Sequence, residues 1–172
     1  MTAPRVPAGS RTATGDLIAG FYRAFGERNH AAMAAAYLPA ATFSDPVFGT
    51  LAGWRIGAMW RMLCERGTDL TVTATDIRAD ETQGSAHWEA RYTFSATGHH
   101  VHNVIEATFQ FEAGRILTHV DRFSFYRWAS QALGFKGVLL GWSPLVQNAV
   151  RKHATRGLEH LITKNNLGPP NP

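Results

Sequence analysis

The chain of 172 residues holds one cysteine, Cys64, so no disulfide can close within it and a cysteine-based metal site is excluded. Charge is also scarce. Asp, Glu, Lys and Arg make up 17%, against 45% hydrophobic and 11% aromatic residues. So many rings with so little charge imply apolar surface buried in more than a minimal core, in a ligand cavity or a subunit interface. No run of about 18 apolar residues could cross a bilayer. A phosphate-binding loop is missing too, since Gly134, Gly137 and Gly141 are followed by neither a Lys-Ser/Thr pair nor a strand-to-helix junction. The net charge is +4. Much of the excess lies late, in Arg151, Lys152, Arg156 and Lys164, without the dense basic stripe and interleaved aromatics of a nucleic-acid binder. Residues 1–14 have no apolar core of the kind an export signal carries, so a flexible arm and a cytoplasmic location are expected.

Hydrophobic spacing divides the remainder. Asp16 is placed to cap a helix whose apolar face carries Leu17, Ile18, Phe21, Tyr22 and Phe25. A short alanine-rich helix is predicted from Ala31 to Tyr37, with Pro39 stopping it. A third helix is predicted from about Trp54 to Gly67. From Leu70 the period changes to two. Long strands follow around Trp88 and Ile105, with a tight turn at Glu112-Ala113-Gly114-Arg115 and a last strand from Ile116 to about Tyr126. Helices first and an antiparallel curved sheet second make an α+β fold. The divisions expected are the arm over 1–14, a main domain over 15–126, a C-terminal helical extension over 127–166 and a loose tail over 167–172. Ser143-Pro144 reads as an N-cap with proline at the first helical position. The apolar run Leu133–Trp142 is expected to close a cavity mouth or pack on a partner subunit rather than to touch a membrane.

One carboxylate stands out. Asp45 ends the apolar strand Ala40-Ala41-Thr42-Phe43-Ser44-Asp45, and Pro46 stops the strand behind it. Burial raises a carboxyl pKa toward the range of a general base. The same residue could instead simply cap the turn before Gly49. Tyr37 and the motif Thr42-Phe43-Ser44-Asp45-Pro46, with Phe111-Glu112-Ala113-Gly114-Arg115-Ile116 and the order of elements, resemble the nuclear transport factor 2-like superfamily, in its SnoaL-like and ketosteroid isomerase-like branches. The resemblance implies a cone-shaped roll, with a curved sheet wrapped around helices and a deep apolar pocket. It places Asp45 where ketosteroid isomerases keep their general base. The two positions that carry oxyanion donors there read here as Phe21, with Tyr22 one residue away, and Ala107.

Alternation along the strands sets which side chains face inward. Asp45, Asn103, His119 and Asp121 are expected to meet in a pocket walled by Tyr22, Phe43, Trp60, Trp88, Tyr92 and Phe123. Asp45, His119 and Asp121 are the candidate catalytic groups, with His119 paired to Asp45 across the pocket in preference to Asp121. Such a group suits proton abstraction beside a carbonyl, aldol-type cyclisation or water attack on an epoxide. The expected function is therefore a cofactor-independent isomerase, polyketide cyclase or epoxide hydrolase. A non-catalytic protein for an apolar small ligand is the alternative. No cofactor and no metal are expected. His99-His100-Val101-His102 reads as an exposed hairpin because its side chains alternate faces. His87, Glu89, Arg91, Glu106 and Arg122 share the outer sheet face, where a homodimer contact is expected. Nucleic-acid and membrane partners are not.

Overall fold

The structure, a computed structural model, describes residues 12–169. It is an α+β fold in which two helices precede the first strand of a six-stranded sheet, a third falls between the second and third strands, and three follow the last. Helix α1 spans Ala13–Gly26, α2 His30–Ala35 and α3 Trp54–Arg66. The strands are β1 Tyr37–Asp45, β2 Gly49–Ala52, β3 Thr71–Ala79, β4 Gln83–Phe94, β5 His99–Glu112 and β6 Arg115–Arg122. Helices α4 Phe125–Ala132, α5 Phe135–Leu140 and α6 Pro144–Lys164 complete the chain. The strand order is β2-β1-β6-β5-β4-β3. Every neighbouring pair is antiparallel except β1 and β6, which run parallel.

Local chemistry explains the boundaries, and several differ from expectation. Thr12, not Asp16, caps α1, its hydroxyl accepting the Gly15 N–H, and Asp16 sits in the first turn. The expected arm therefore gives way to helix by Ala13, while residues 1–11 lie outside the described residues. Asn29 caps α2, which ends before Tyr37, and Tyr37 opens β1 instead of closing the helix. Pro39 lies within that strand. The turn after β5 places Ala113 at φ 49° and Gly114 at φ 71°, the left-handed pair that a two-residue hairpin requires. The last strand stops at Arg122, because Ser124 caps α4 with its side chain. Leu167 folds back on the core, so the expected loose tail begins later than 167, and residues 170–172 are outside the described residues.

The core lies between the concave sheet face and the helices. Phe21, Phe43 and Trp60 meet edge to face at 5.3–5.4 Å between Phe21 or Phe43 and Trp60. Such pairs add about 0.5–1.5 kcal/mol each beyond the area they bury. Helix α6 packs Leu158 and Leu161 into this core. Of the two roles expected for the run Leu133–Trp142, closing the cavity mouth is overturned, since none of its residues lines the cavity. Phe135 is 76% exposed, and Val138, Leu139, Leu140 and Trp142 also face out. Among the described residues no helix is long and apolar enough to cross a membrane.

Candidate functional site

A cavity of about 480 Å³ opens between α3, α6 and the concave face of the sheet. That volume falls in the range of small-molecule sites. Its walls include Phe43, Trp60, Trp88, Tyr92, Ile105 and Phe123. Asp45, Asn103 and Asp121 also line it. All but two of the expected site residues therefore meet there. The exceptions are Tyr22 and His119, which lie behind the wall.

Asp45 owes its place to the end of β1. Its Oδ1 accepts the N–H groups of Val47 at 2.9 Å and Phe48 at 2.5 Å, closing the turn into β2. One oxygen of the carboxyl group therefore caps the turn, and the other, Oδ2, is left without a hydrogen bond among the described residues. Burial is the largest influence on this group and pushes its pKa up to about 7. The Phe48 N–H bond opposes that rise, the charge of Asp121 adds to it, and Val47 and Arg151 oppose it further.

Asp121 comes from β6, where a bulge shifts the register. The phase changes between Phe111↔Ile116 and Gln110↔Thr118, so Ile116, His119 and Asp121 all point inward. Opposite Asp121 on β5 stands Ala107. A small side chain there leaves Asp121 open to the cavity, although only 4% of it is exposed. Its Oδ1 accepts the Trp88 indole N–H at 3.2 Å and is 3.0 Å from His119 Nε2.

His119 is fully buried and caged by rings, with Phe109 at 4.3 Å and Phe43 at 5.1 Å between centroids. Its Nδ1 lies 2.6 Å from the Tyr37 hydroxyl, which also accepts the Trp60 indole N–H at 3.1 Å. An indole can only donate. The one assignment that satisfies every group is therefore directional. Trp60 donates to Tyr37, Tyr37 donates to His119 Nδ1, and Nε2–H of a neutral His119 donates to Asp121. The expected pairing of His119 with Asp45 is replaced by this direct pairing with Asp121. Two residues of strand rise looked too long a gap, but the imidazole lies along the strand and spans it.

Tyr22 packs on Trp88 at 5.3 Å, and its hydroxyl is buried with no hydrogen-bond partner in the described residues. Burial, then the nearby Asp121 charge, raises its pKa. Phe21 and Ala107 are both buried and apolar. Sequence reasoning missed the cavity residues supplied from outside the sheet: Arg66 on α3, Trp128 on α4, and Val150, His153 and Ala154 on α6. The spacing of 150, 153 and 154 is a helical face and was the available signal. Trp128 donates its indole N–H to the Tyr92 hydroxyl at 2.9 Å, fixing that wall. It also missed Tyr37 as the partner of His119.

On the outer sheet face, His87 pairs with Glu106 at 2.6 Å and His102 with Glu89 at 2.6 Å. The Glu106 bond chiefly raises the His87 pKa, and the His102 bond chiefly lowers that of Glu89. His100 lies 3.2 Å from the Thr93 hydroxyl, so the histidines of the 99–102 hairpin disperse to separate partners.

A curved sheet wrapped on helices, with polar groups at the base of an apolar cavity, defines the nuclear transport factor 2-like class. Within that class, a family model described as a SnoaL-like domain matches residues 18–119, and the chain belongs to that family. No curated protein matches the chain. Solved structures share the fold. An M. tuberculosis LEH-like epoxide hydrolase is 21% identical with a TM-score of 0.59, over 79% of this chain and 96% of that one. A protein with a ketosteroid isomerase-like fold from Catenulispora acidiphila DSM 44928, in complex with trimethylamine, is 14% identical with a TM-score of 0.63, over 75% and 98%. A Pseudomonas putida KT2440 protein proposed to be a polyketide cyclase is 20% identical with a TM-score of 0.58, over 71% and 98%.

Proposed function

We propose that this protein is a small-molecule enzyme of the isomerase, cyclase or hydratase kind, acting by general acid–base catalysis in the apolar cavity. The observation that carries this reading is that Asp45 and Asp121 share one cavity in unlike settings. Asp45 has a pKa near 7 and a free oxygen. Asp121 is held by two N–H donors, Trp88 in the wall and His119 behind it. Near neutral pH, Asp45 exists in both forms and can take and return a proton. With a carbonyl substrate, its carboxylate removes a proton from the adjacent carbon and returns it to another, so a double bond moves and nothing is consumed. Asp121 and Asn103 orient the substrate or a water. His119 is a positioning residue, since it reaches the cavity only through Asp121. The fold shared with an epoxide hydrolase supports water attack on an epoxide as a further chemistry for the same groups.

The test is conversion of apolar β,γ-unsaturated ketones and epoxides, with products followed by chromatography and mass spectrometry. Asp45→Asn is expected to cut turnover at least about a hundredfold. Full activity in that variant would sink the mechanism. The buried apolar Phe21 and Ala107 favour a second reading, a binding protein for an apolar ligand without turnover. Saturable binding with no product from any panel member would support it. The charged outer sheet face around His87, Glu89 and Glu106 supports self-association as a homodimer, which sedimentation at low and high salt would test.

A further inference from the structure

The cavity has two chemically different ends. The inner end holds Asp121 against Trp88. At the mouth the lining includes Arg66, from the last turn of α3, and His153 of α6, both exposed on their outer sides. His153 and Gly157 are four residues apart on α6 and so share a face. A Cβ at Gly157 would lie 2.7 Å from one guanidinium nitrogen of Arg66 and 3.1 Å from the other. The guanidinium thus rests on bare helix backbone, one turn from His153. Glycine inside a helix costs about 0.5–1 kcal/mol relative to alanine, so the indentation is not free. Neither side chain forms an ion pair among the described residues. A basic residue in the last turn of a helix favourably meets the helix dipole. That role explains Arg66 alone. It explains neither the imidazole lining the same cavity nor the glycine beneath the guanidinium.

We propose that the cavity takes an anionic amphiphile, with its apolar body against Phe43, Trp60, Trp88 and Tyr92 and its carboxylate or sulfonate at the mouth on Arg66 and His153. This inference rests on the reading of the cavity as the ligand site. An unpaired guanidinium presents a planar fork that matches two oxygens of such a group. The acidic inner end repels an anion, so the ligand is oriented: charged group outward, uncharged reactive end toward Asp45 and Asp121.

Two fluorescent probes with one ring system test it: 1-anilinonaphthalene-8-sulfonate and N-phenyl-1-naphthylamine, which lacks the sulfonate. Both are titrated into the wild type, Arg66→Gln, Gly157→Ala and Ala90→Phe, the last filling the cavity from β4. The wild type is expected to bind the sulfonate at least about tenfold more tightly than the neutral probe, with the preference weakening in salt. Arg66→Gln should abolish that preference. Gly157→Ala, which keeps the arginine but displaces its guanidinium, should reduce it severalfold in a fully folded protein. An unchanged preference in Arg66→Gln overturns the proposal, and if its melting temperature falls, Arg66 serves only the end of α3. Binding of both probes undiminished in folded Ala90→Phe places them outside the cavity. That separate result removes the ligand-site reading itself.

Discussion

Replacing Asp45 by asparagine should alter stability in a way that depends on pH, and the size follows from the site. Asparagine keeps the Oδ1 that accepts Val47 and Phe48 N–H, so the turn survives. What it removes is the ionisation of a group held at about 7 in the folded protein. The unfolded chain ionises near the ordinary value of about 4. A folded pKa above the unfolded one means that the native state holds the extra proton between those limits. The stability this contributes is fully present below about pH 4 and is lost as pH rises through about 7. One pKa unit corresponds to about 1.4 kcal/mol, which sets an upper figure of about 4 kcal/mol. Water entering the cavity reduces that, and at least about 1 kcal/mol should remain. For a chain of this size that is about 2–4 °C or more in melting temperature. Thermal unfolding of both proteins by circular dichroism from pH 4 to 9 provides the assay. The other titrating groups cancel in the difference between them. Asp45→Asn should match the wild type near pH 4 and become progressively more stable up to about pH 8. Parallel curves across the range would refute the raised pKa and with it the acid–base role.

Three further outcomes are expected. Tyr37→Phe strands the Trp60 N–H and the His119 Nδ1 in the core; at about 1–3 kcal/mol for each unsatisfied group, urea unfolding should show a loss of about 2–6 kcal/mol, and no loss would dissolve the inferred chain of donors. Gly84→Ala would set a Cβ 2.9 Å from both Ile18 Cδ1 and Phe111 Cε2; overpacking of that kind should cost about 1–3 kcal/mol, and a neutral result would mean that α1 yields more easily than its packing implies. Leu139→Ser, at an exposed apolar position of α5, should stay within about 0.5 kcal/mol of the wild type, and a large loss would show that this helix is packed in solution.

Much of this fold could be read from local chemistry. Period-two alternation in β4 and β5 gave the inward faces, because a half-buried strand must place its Trp, Ile and Phe on one side. Asp45 and Asp121 were legible for the same reason. The partners of His119 were not. Its tie to Tyr37 crosses 82 positions and depends on a parallel pairing that no local pattern encodes. The cavity-closing role expected of Leu133–Trp142 failed because an apolar run shows that burial is favourable without saying against what. The cavity residues of α6 escaped because their apolar spacing reads equally as core, which Leu158 and Leu161 indeed are.

The parallel seam between β1 and β6 also bears on the order in which the molecule can be completed. Asp45 and Asp121 lie 76 positions apart in the sequence, yet they reach one cavity only when Phe43 comes into register with His119. Hairpins such as β4–β5 close over short loops and can form early. The seam must wait for a long loop to close, the slow class of event in folding. A chain leaving the ribosome presents β1 long before β6 exists to receive it. The two carboxylates therefore meet only once that long loop has closed, and a chain holding the β4–β5 hairpin alone has no cavity.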